Sequence, residues 1–398
     1  MEYHALHDAP FVFPNDAHPA WSIMIVIYPY ITGMVAGAFV VSTMYHVFHR
    51  EALRPVARLA VVTSLCLGAC ATLPLLLHLH QPQRALNIVA TPSPNSAMAG
   101  FGFIYSFYML VLLVDVWLLF RPAIVERAHS APGPWKNVYR VLALGVFEIT
   151  PRAAEIDRKL VHALSVIGIP AACILHGYVG FLFGAIKANP WWSTAMMPVI
   201  FLTSAVVSGI AVLTLLYLFL CRSSRMEPEE ECMQSLSRLL WMFLVLALTF
   251  EFCELLHVAY EREEEWHVIR ELIVTKLRFS YLTLQVLVGS LLPLIILPVP
   301  AFTRVATAGF RHACTGVGAV LVLVQVAAMR WNVVVGGQLF SKSFRGFVDY
   351  PVTWFGREGL LVAAVVLAMP MLLLWGAMKL LPVWPPSPES ESGVKASC

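Results

Sequence analysis

The sequence predicts an all-α integral membrane protein that crosses the bilayer about nine times. Of the 398 residues, 59% are hydrophobic and only 13% are charged, whereas a soluble globular domain has roughly 25% charged residues. The apolar residues also gather in runs of about 20, the length that a helix needs to span the hydrocarbon core. Because only helices and closed barrels satisfy every backbone polar group in lipid, we expect these runs to be transmembrane helices.

Nine runs have the required length. They cover residues 21–48, 57–79, 97–120, 160–186, 193–220, 239–260, 272–297, 312–329 and 359–381. Residues 1–20 contain neither a basic stretch nor a small-residue cleavage site, so we expect a retained extracytoplasmic segment rather than a signal peptide. Residues 382–398 are rich in Pro, Ser and Glu and are expected to be a disordered cytoplasmic tail.

The distribution of basic residues predicts the orientation. Loops that follow the odd-numbered runs, together with the tail, hold 17 of the 27 Lys and Arg residues. Since positive charge collects on the cytoplasmic side, the N-terminus is expected outside a bacterial inner membrane and the C-terminus inside. The loop 121–159 is then cytoplasmic, and the loop 330–358 faces outward. A net charge of +3 does not indicate a nucleic-acid partner, and lipid is the expected surrounding.

Ionisable residues inside the runs are the candidate functional residues, because they are costly at membrane depth and usually face a bundle interior or a wet cavity. In "LTFEFCELLHVAYE", residues 248–261, Glu251, Glu254 and His257 stand three apart and are expected on one helical face. The predicted orientation places all three in the outer half of the sixth run.

Other polar residues are expected at a similar depth. His176 and Tyr178 lie in the outer half of the fourth run, and His80 and Arg84 follow the outer end of the second. Two further groups, Asp115 and His162, lie toward the cytoplasmic side and would form the inner end of a proton path.

Several chemistries would use such residues. A bis-histidine haem would pair His176 with His78 or His80, and a di-iron centre would need a second Glu-x-x-His beside Glu254 and His257. A quinone site needs an apolar slot with a few polar groups that exchange protons, which the carboxylates, histidine and tyrosines at one depth match better. A structural role that only holds helices together remains open, above all for Glu251. The eight cysteines include no CxxC pair, so neither an iron–sulfur cluster nor structural zinc is indicated.

Three stretches resemble the NrfD/polysulfide reductase membrane-subunit family. They are "WSIMIVIYPYITGMVAGAFV", with Gly33 and Gly37 suited to close helix packing, "HLHQPQRALNIVATPSPNSAMAGFGFIYSFYML", and "HALSVIGIPAACILHGYVGFLFGAIKANPWWSTAMMPVIFLTSAVVSGIA". A fourth, "MRWNVVVGGQLFSKS", resembles the longer members of Dsr-type and Hyb-type complexes and of alternative complex III.

The resemblance implies two four-helix bundles plus an extra helix, with a quinone pocket toward the outer surface. We therefore expect a first bundle over residues 21–221, a cytoplasmic loop at 222–238 and a second bundle over 239–381. It also implies menaquinone or ubiquinone as cofactor, with no haem or metal in this chain. The implied partner is an extracytoplasmic ferredoxin-like iron–sulfur subunit, joined in some complexes by molybdopterin or multihaem cytochrome subunits.

On this interpretation the chain is the quinone-interacting membrane subunit of a multisubunit respiratory oxidoreductase, with proton movement as an extension. Glu254 and His257 would accept protons with help from Glu251, and the quinone would be bound by His176, Tyr178, Arg84, His80 and Tyr28. One alternative is an anchor that docks partner subunits without binding quinone. A second alternative is a secondary transporter, for which Pro170, Pro198 and Pro293 offer weak evidence of broken helices.

Overall fold

The computed structural model describes residues 19–93, 95–261, 264–339 and 346–384. The expected N-terminal segment, apart from its last two positions, and the tail from residue 385 onward lie outside these residues. Within the described ranges the chain forms helices of several kinds joined by short connections, and no β-strand is present.

Fourteen α-helices and one π-helix follow one another along the described chain. In chain order they are α1 (Ile23–His46), α2 (Arg54–Ala71), α3 (Leu73–His78), α4 (Asn87–Ala90), α5 (Ala97–Ser130), α6 (Trp135–Leu142), α7 (Pro151–Gly184), α8 (Met197–Ser223), α9 (Glu230–Glu261), α10 (Glu264–Thr275), a π-helix (Arg278–Leu291), α11 (Leu292–Ile296), α12 (Pro298–Phe302), α13 (Ala308–Val334) and α14 (Leu360–Leu380). Short 3₁₀ turns occupy Glu51–Leu53, Pro82–Arg84 and Gly336–Gln338.

Four of the long helices begin at a hydroxyl side chain that accepts a hydrogen bond from the first helical turn. These caps are Ser22, Ser96, Thr150 and Thr307. Each satisfies a backbone N–H that has no partner inside its helix, so the sequence itself marks where these spans start.

Nine helical segments of the described chain are long and apolar enough to cross a membrane. The second is the stack Glu51–His78 and the seventh runs from Arg278 to Phe302 through the π-helix, α11 and α12. The predicted all-helical, polytopic membrane protein is therefore confirmed.

The spans pack as two groups that share a central contact. One group contains α1, α2, α5 and α7, and the other contains α8, α9, the π-helix and α13, while α14 packs on α2. The resemblance noted in the sequence places α8 in the first bundle, but it packs extensively on α1 and α7 as well as on α9 and α13. Helix α8 thus connects the two groups, and α1 also contacts α13 directly.

Helices α1 and α8 approach each other closely because glycine faces glycine at their crossing. A Cβ atom on Gly37 would lie 2.6 Å from Cα of Gly209, and one on Gly33 would lie 3.4 Å from Cα of Ala205. Small residues at such a crossing allow the backbones into van der Waals contact where lipid offers no hydrophobic driving force between helices.

Several connections are shorter than the apolar runs indicate. The loop predicted at 222–238 is reduced to residues 224–229, because α9 already begins at Glu230. Helix α5 continues to Ser130 and α7 already begins at Pro151, and between them Arg121 Nη1 donates to Asp157 Oδ1 at 2.7 Å. Helix α13 likewise continues to Val334, so Arg330 lies in a helix and is fully buried, not in the outward loop expected from residue 330. Arg121 has an ionic partner inside the protein, and Arg330 has hydrogen-bond partners there, so each helix continues past the end of its apolar run.

Candidate functional site

A small cavity opens in the second group of helices, toward the end of the spans that the charge distribution assigns to the outside. Its volume is ≈ 100 Å³. The loop between α7 and α8, helices α8 to α10, the π-helix and α13 contribute its wall, with Pro190, Trp191, Met197, Ile200, Glu251, Glu254, Leu255, Val258, Ile269, Tyr281, Gln285, Met329 and Val333. The wall is mostly apolar, and both carboxylates of the sixth span belong to it.

Glu251 is held by two buried amide side chains. Gln285 Nε2 on the π-helix donates to Glu251 Oε2 at 2.9 Å, and Gln325 Nε2 on α13 donates to Oε1 at 3.0 Å and to Oε2 at 3.2 Å. Both carboxylate oxygens therefore receive N–H donors, which fixes the orientation of Glu251 at the cavity wall.

The amide of Gln285 is fixed in turn by a second pair. Asn332 Nδ2 donates to Gln285 Oε1 at 2.7 Å, and Ser280 Oγ donates to Asn332 Oδ1 at 2.6 Å. Each donor in the series Ser280, Asn332, Gln285 points toward Glu251. Because a buried polar network is stable only when its members are satisfied, these residues and Glu251 form one unit.

Glu254 lies one turn further along α9 and differs from Glu251. Its Oε2 atom is buried and has no hydrogen-bond partner among the described residues, although the side chain lines the cavity. Buried polar atoms are normally paired, so this oxygen is free to bond a molecule in the cavity.

Two aromatic side chains form another part of the wall. The rings of Trp191 and Tyr281 meet edge to face with centroids 6.1 Å apart. Tyr281 also interacts electrostatically with Glu251. The cavity therefore combines flat apolar surface with carboxylate groups.

Arg330 lies behind the cavity wall and is fully buried. Its Nη2 donates to Ser204 Oγ at 2.8 Å and to the Phe201 carbonyl at 3.3 Å, and its guanidinium carbon lies 3.8 Å from the centroid of the Phe201 ring. Arg330 interacts electrostatically with Glu251 on one side and with His176 on the other. It is thus a positive charge placed between the two groups of helices.

His176 is buried in the first group and does not line the cavity. Its Nδ1 lies 3.2 Å from the Ala172 carbonyl oxygen of its own helix, and its Nε2 is buried without a partner among the described residues. His176 interacts electrostatically with Arg330 but is not part of the cavity wall.

The two tyrosines of the predicted set also lie away from the cavity. Tyr178 donates its hydroxyl to the Ala97 carbonyl at the start of α5, at 2.8 Å. Tyr28 is buried with its ring edge-on to Phe101 at 5.6 Å, and its hydroxyl has no partner in the described chain. The tyrosine that lines the cavity is Tyr281 instead.

His257 near the end of α9 is exposed, as are His80 and Arg84 in the connection that follows α3. His257 Nε2 lies 3.3 Å from Glu261 Oε1, and 64% of its side chain is accessible. The structure thus brings Glu251 and Glu254 together and leaves these three outside the wall of the cavity.

Of the two groups predicted nearer the cytoplasm, Asp115 is buried and its Oδ1 has no partner in the described ranges. His162 Nδ1 lies 3.2 Å from the His46 carbonyl oxygen. Both groups belong to the first group of helices, and their place at the inner end of a proton path stays a prediction. Across the described residues, no cluster of three or more His, Cys, Asp or Glu side chains is arranged to hold a metal ion.

Sequence reasoning missed Gln285, Gln325, Asn332, Tyr281 and Arg330. The amides escape a prediction that considers only ionisable groups and the tyrosines near them. A usable signal is present, since Gln325, Arg330 and Asn332 stand in "LVLVQVAAMRWN" within or beside an apolar run.

Comparison with known proteins adds a family match that covers most of the chain. A family model described as "Polysulphide reductase, NrfD" matches residues 13–342. The chain is 28% identical to a protein of Mesobacillus selenatarsenatis named as a subunit of selenate reductase, over 80% of its own length and 74% of that protein. It is 25% identical to a protein of Halobacterium salinarum named as a membrane subunit of dimethyl sulfoxide reductase, over 72% of this chain and 63% of that one. A third relative is the Hdr-like menaquinol oxidoreductase integral membrane subunit of Archaeoglobus fulgidus, 22% identical over 81% of this chain and 72% of its own.

Proposed function

This chain belongs to the NrfD family of polysulphide reductase membrane proteins, and from that premise we propose that it is the quinone-interacting membrane subunit of a respiratory oxidoreductase, with its quinone in the cavity beside Glu251 and Glu254. Three relatives are named as subunits of selenate reductase, dimethyl sulfoxide reductase and menaquinol oxidoreductase. Those names support an oxidoreductase complex that contains a membrane subunit of this kind. The name of the third relative includes menaquinol, which supports a quinone as the cofactor of this chain.

The residues of the cavity fit a quinone headgroup. A quinone ring has two apolar faces and two oxygen atoms at its edge. Trp191 and Tyr281 provide flat surface for a face, and the buried, unpartnered Oε2 of Glu254 provides a bonding atom for an edge oxygen. The observation that carries the proposal is this unpartnered carboxylate oxygen in an otherwise apolar wall.

The two carboxylates are suited to different tasks. When bound, quinol supplies two electrons and two protons. Glu254 would accept a hydrogen bond and then a proton from a hydroxyl, because its Oε2 is not used by the protein. Glu251 would be the second proton site, and Gln285 and Gln325 would hold its oxygens in place during that exchange.

Arg330 would act on the site through Glu251. The guanidinium interacts electrostatically with Glu251, so it would offset part of the negative charge that develops at the site. His176 in the adjoining bundle interacts with the same guanidinium. We include it in the proposal because a change of charge at the site would act on it through Arg330.

Electrons would pass between the quinone and a subunit docked on the outer face. We propose a ferredoxin-like iron–sulfur protein as that subunit, with molybdopterin or multihaem subunits beyond it. A cavity near the outer ends of the spans shortens the distance to such a partner, which supports the placement.

The proposal is tested by labelling the detergent-solubilised complex with a photoreactive quinone analogue and mapping the labelled peptides by mass spectrometry. We expect label on α9 around residues 251–258 and on the π-helix. Val258→Trp should abolish it, because an indole at a lining position fills a cavity of ≈ 100 Å³.

Leu256→Trp is the matched control, since Leu256 lies on the same helix, is 54% exposed and is not part of the cavity wall. Labelling confined to other spans, or equal labelling of both tryptophan variants, would contradict the proposed site. Absence of specific labelling anywhere, in a complex that assembles normally, would favour the anchor function.

A further inference from the structure

A second and larger cavity lies at the opposite membrane face from the quinone site. It has a volume of ≈ 460 Å³ and is formed where α5 and α14 end and α6 begins. Arg127, Ser130, Trp135, Tyr139 and Lys379 are among its lining residues. The charge distribution assigns this face to the cytoplasm, and the cavity has no role in the quinone chemistry.

Two cations line this cavity, and neither forms an ion pair with a carboxylate in the described chain. Arg127 Nη1 donates to the Leu380 carbonyl at 2.7 Å and to the Tyr139 hydroxyl at 3.0 Å. The Tyr139 hydroxyl in turn donates to the Leu380 carbonyl at 2.9 Å. One guanidinium nitrogen is thereby anchored, and its position at the cavity wall is fixed without neutralising its charge.

Lys379 is positioned by a different contact. Its Nζ lies 3.4 Å from the centroid of the Trp375 ring, one turn earlier on α14. A cation–π contact holds the ammonium over the indole and leaves its N–H donors available. The cavity wall therefore carries two positive charges in fixed positions, which favours the binding of an anion.

Exposed apolar residues surround the cavity on the lipid side. Trp135, Val141 and Leu144 on and after α6 are 52%, 72% and 71% exposed, while Tyr139 of the same helix is buried. A short helix with one apolar exposed face, placed where two spans end, is suited to lie in the membrane interface. On α14, Leu372 and Trp375 are 63% and 59% exposed and continue the apolar surface from the cavity toward the bilayer core.

We propose that this cavity binds the phosphate headgroup of an anionic phospholipid, whose acyl chains lie against Leu372 and Trp375 of α14. Basic pockets between spans on the cytoplasmic side are suited to such headgroups, and a Trp at that level anchors the interface. The continuous apolar surface favours a lipid over a free anion, because a soluble anion would use only the cationic part. Two further cations on α6, Lys136 and Arg140, add to the attraction.

Native mass spectrometry of the purified complex tests this proposal. The complex is exchanged into micelles with phosphatidylglycerol or phosphatidylcholine, and retained lipids are counted. We expect phosphatidylglycerol to be retained preferentially and Lys379→Gln to weaken it about fivefold, since a basic residue near the surface contributes roughly that factor. Arg127→Gln should weaken it further, but Arg127 also holds the Leu380 carbonyl, so Lys379→Gln is the decisive variant.

Lys159→Gln is the control, because Lys159 is an exposed cation of the same face that already pairs with Glu155 at 2.8 Å. Equal retention of phosphatidylglycerol by the wild type and Lys379→Gln would overturn the proposal. So would equal retention of the two lipids, or thermal protection by inorganic phosphate equal to that by phosphatidylglycerol. A variant truncated after Trp384 should retain phosphatidylglycerol as the full chain does. A tenfold gain in lipid retention would instead identify the acidic tail as the occupant of the cavity and overturn the proposal.

Discussion

Glu254→Gln is the substitution that separates proton transfer from binding. The change replaces one oxygen by an NH₂ group of nearly the same size, so it opens no void in the wall. The buried Oε2 has no partner to lose among the described residues, so the fold is expected to be unaffected. What the variant loses is the ability to accept a proton.

The expected magnitude follows from that single loss. A positioned proton acceptor contributes about 100-fold to 10,000-fold in rate, which corresponds to about 2.7 to 5.4 kcal/mol of barrier. An amide still hydrogen-bonds a quinone oxygen, so KM should change by no more than about threefold, because uniform binding is retained. The predicted signature is therefore a kcat lowered by at least about 100-fold with KM almost unchanged.

The assay is quinol oxidation by the assembled complex with a soluble acceptor, run beside Glu155→Gln as a carboxylate-to-amide control. Glu155 is exposed, forms an ion pair with Lys159 and lies at the inner end of α7. A tenfold rise in KM with unchanged kcat would show that Glu254 binds without exchanging protons. Unchanged values of both would refute the reasoning from the unpartnered oxygen.

Three further predictions test the surroundings of the site. Glu251→Leu should lower the free energy of unfolding by roughly 2–6 kcal/mol, because it leaves the amides of Gln285 and Gln325 unpaired at about 1–3 kcal/mol each. Glu251→Gln should cost less, because Gln325 can turn its amide over and accept a hydrogen bond. Chemical denaturation measures both variants, and equal losses of stability would contradict the network. Arg330→Met should lower quinol turnover of the assembled complex at least about tenfold. It should also lower stability, by up to about 3–5 kcal/mol, because Glu251 stays buried without the positive charge near it. A turnover equal to wild type would remove Arg330 from the proposed function. Gly37→Ala should lower the melting temperature, because its Cβ meets Gly209 Cα at 2.6 Å and overpacking costs about 1–3 kcal/mol. Gly309→Ala is the control and should leave the melting temperature unchanged, because nothing lies within 4 Å of its Cβ. Equal shifts in the two variants would count against the close crossing.

The helices could be predicted from the sequence because the bilayer imposes a length and an apolar composition on every span. Ser22, Ser96, Thr150 and Thr307 even mark the starts of four helices. Span ends were less predictable where a charge has a partner inside the protein. Arg330 is the clearest case, because its partners Ser204 and Phe201 lie on another helix and leave no local signal in the sequence.

The composition of the site was predicted only in part, for a geometric reason. An α-helix turns by about 100° per residue, so a spacing of three residues rotates the side chain by about 60° each time. Glu254 therefore stays near the face of Glu251, but His257, after two such steps, has turned about 120° away. The same arithmetic separates His176 from Tyr178, which are two positions apart and point to nearly opposite sides of α7.

The π-helix is the part of the site for which the sequence offers no signal. π-Helices are rare and occur mostly as single turns near functional sites, whereas this one extends over 14 residues, Arg278–Leu291. Its polar side chains bond outside the regular backbone pattern, since Ser290 donates to the Gln285 carbonyl five residues back at 2.7 Å. Three of its residues, Ser280, Tyr281 and Gln285, take part in the site. The π-helix packs on α13 and is bonded to α9 through Gln285 and Glu251, and the position of Gln285 against Glu251 depends on that conformation. A helix held in this form by tertiary hydrogen bonds cannot be recognised from local propensity, which explains why Gln285 is absent from the residues that the sequence predicts.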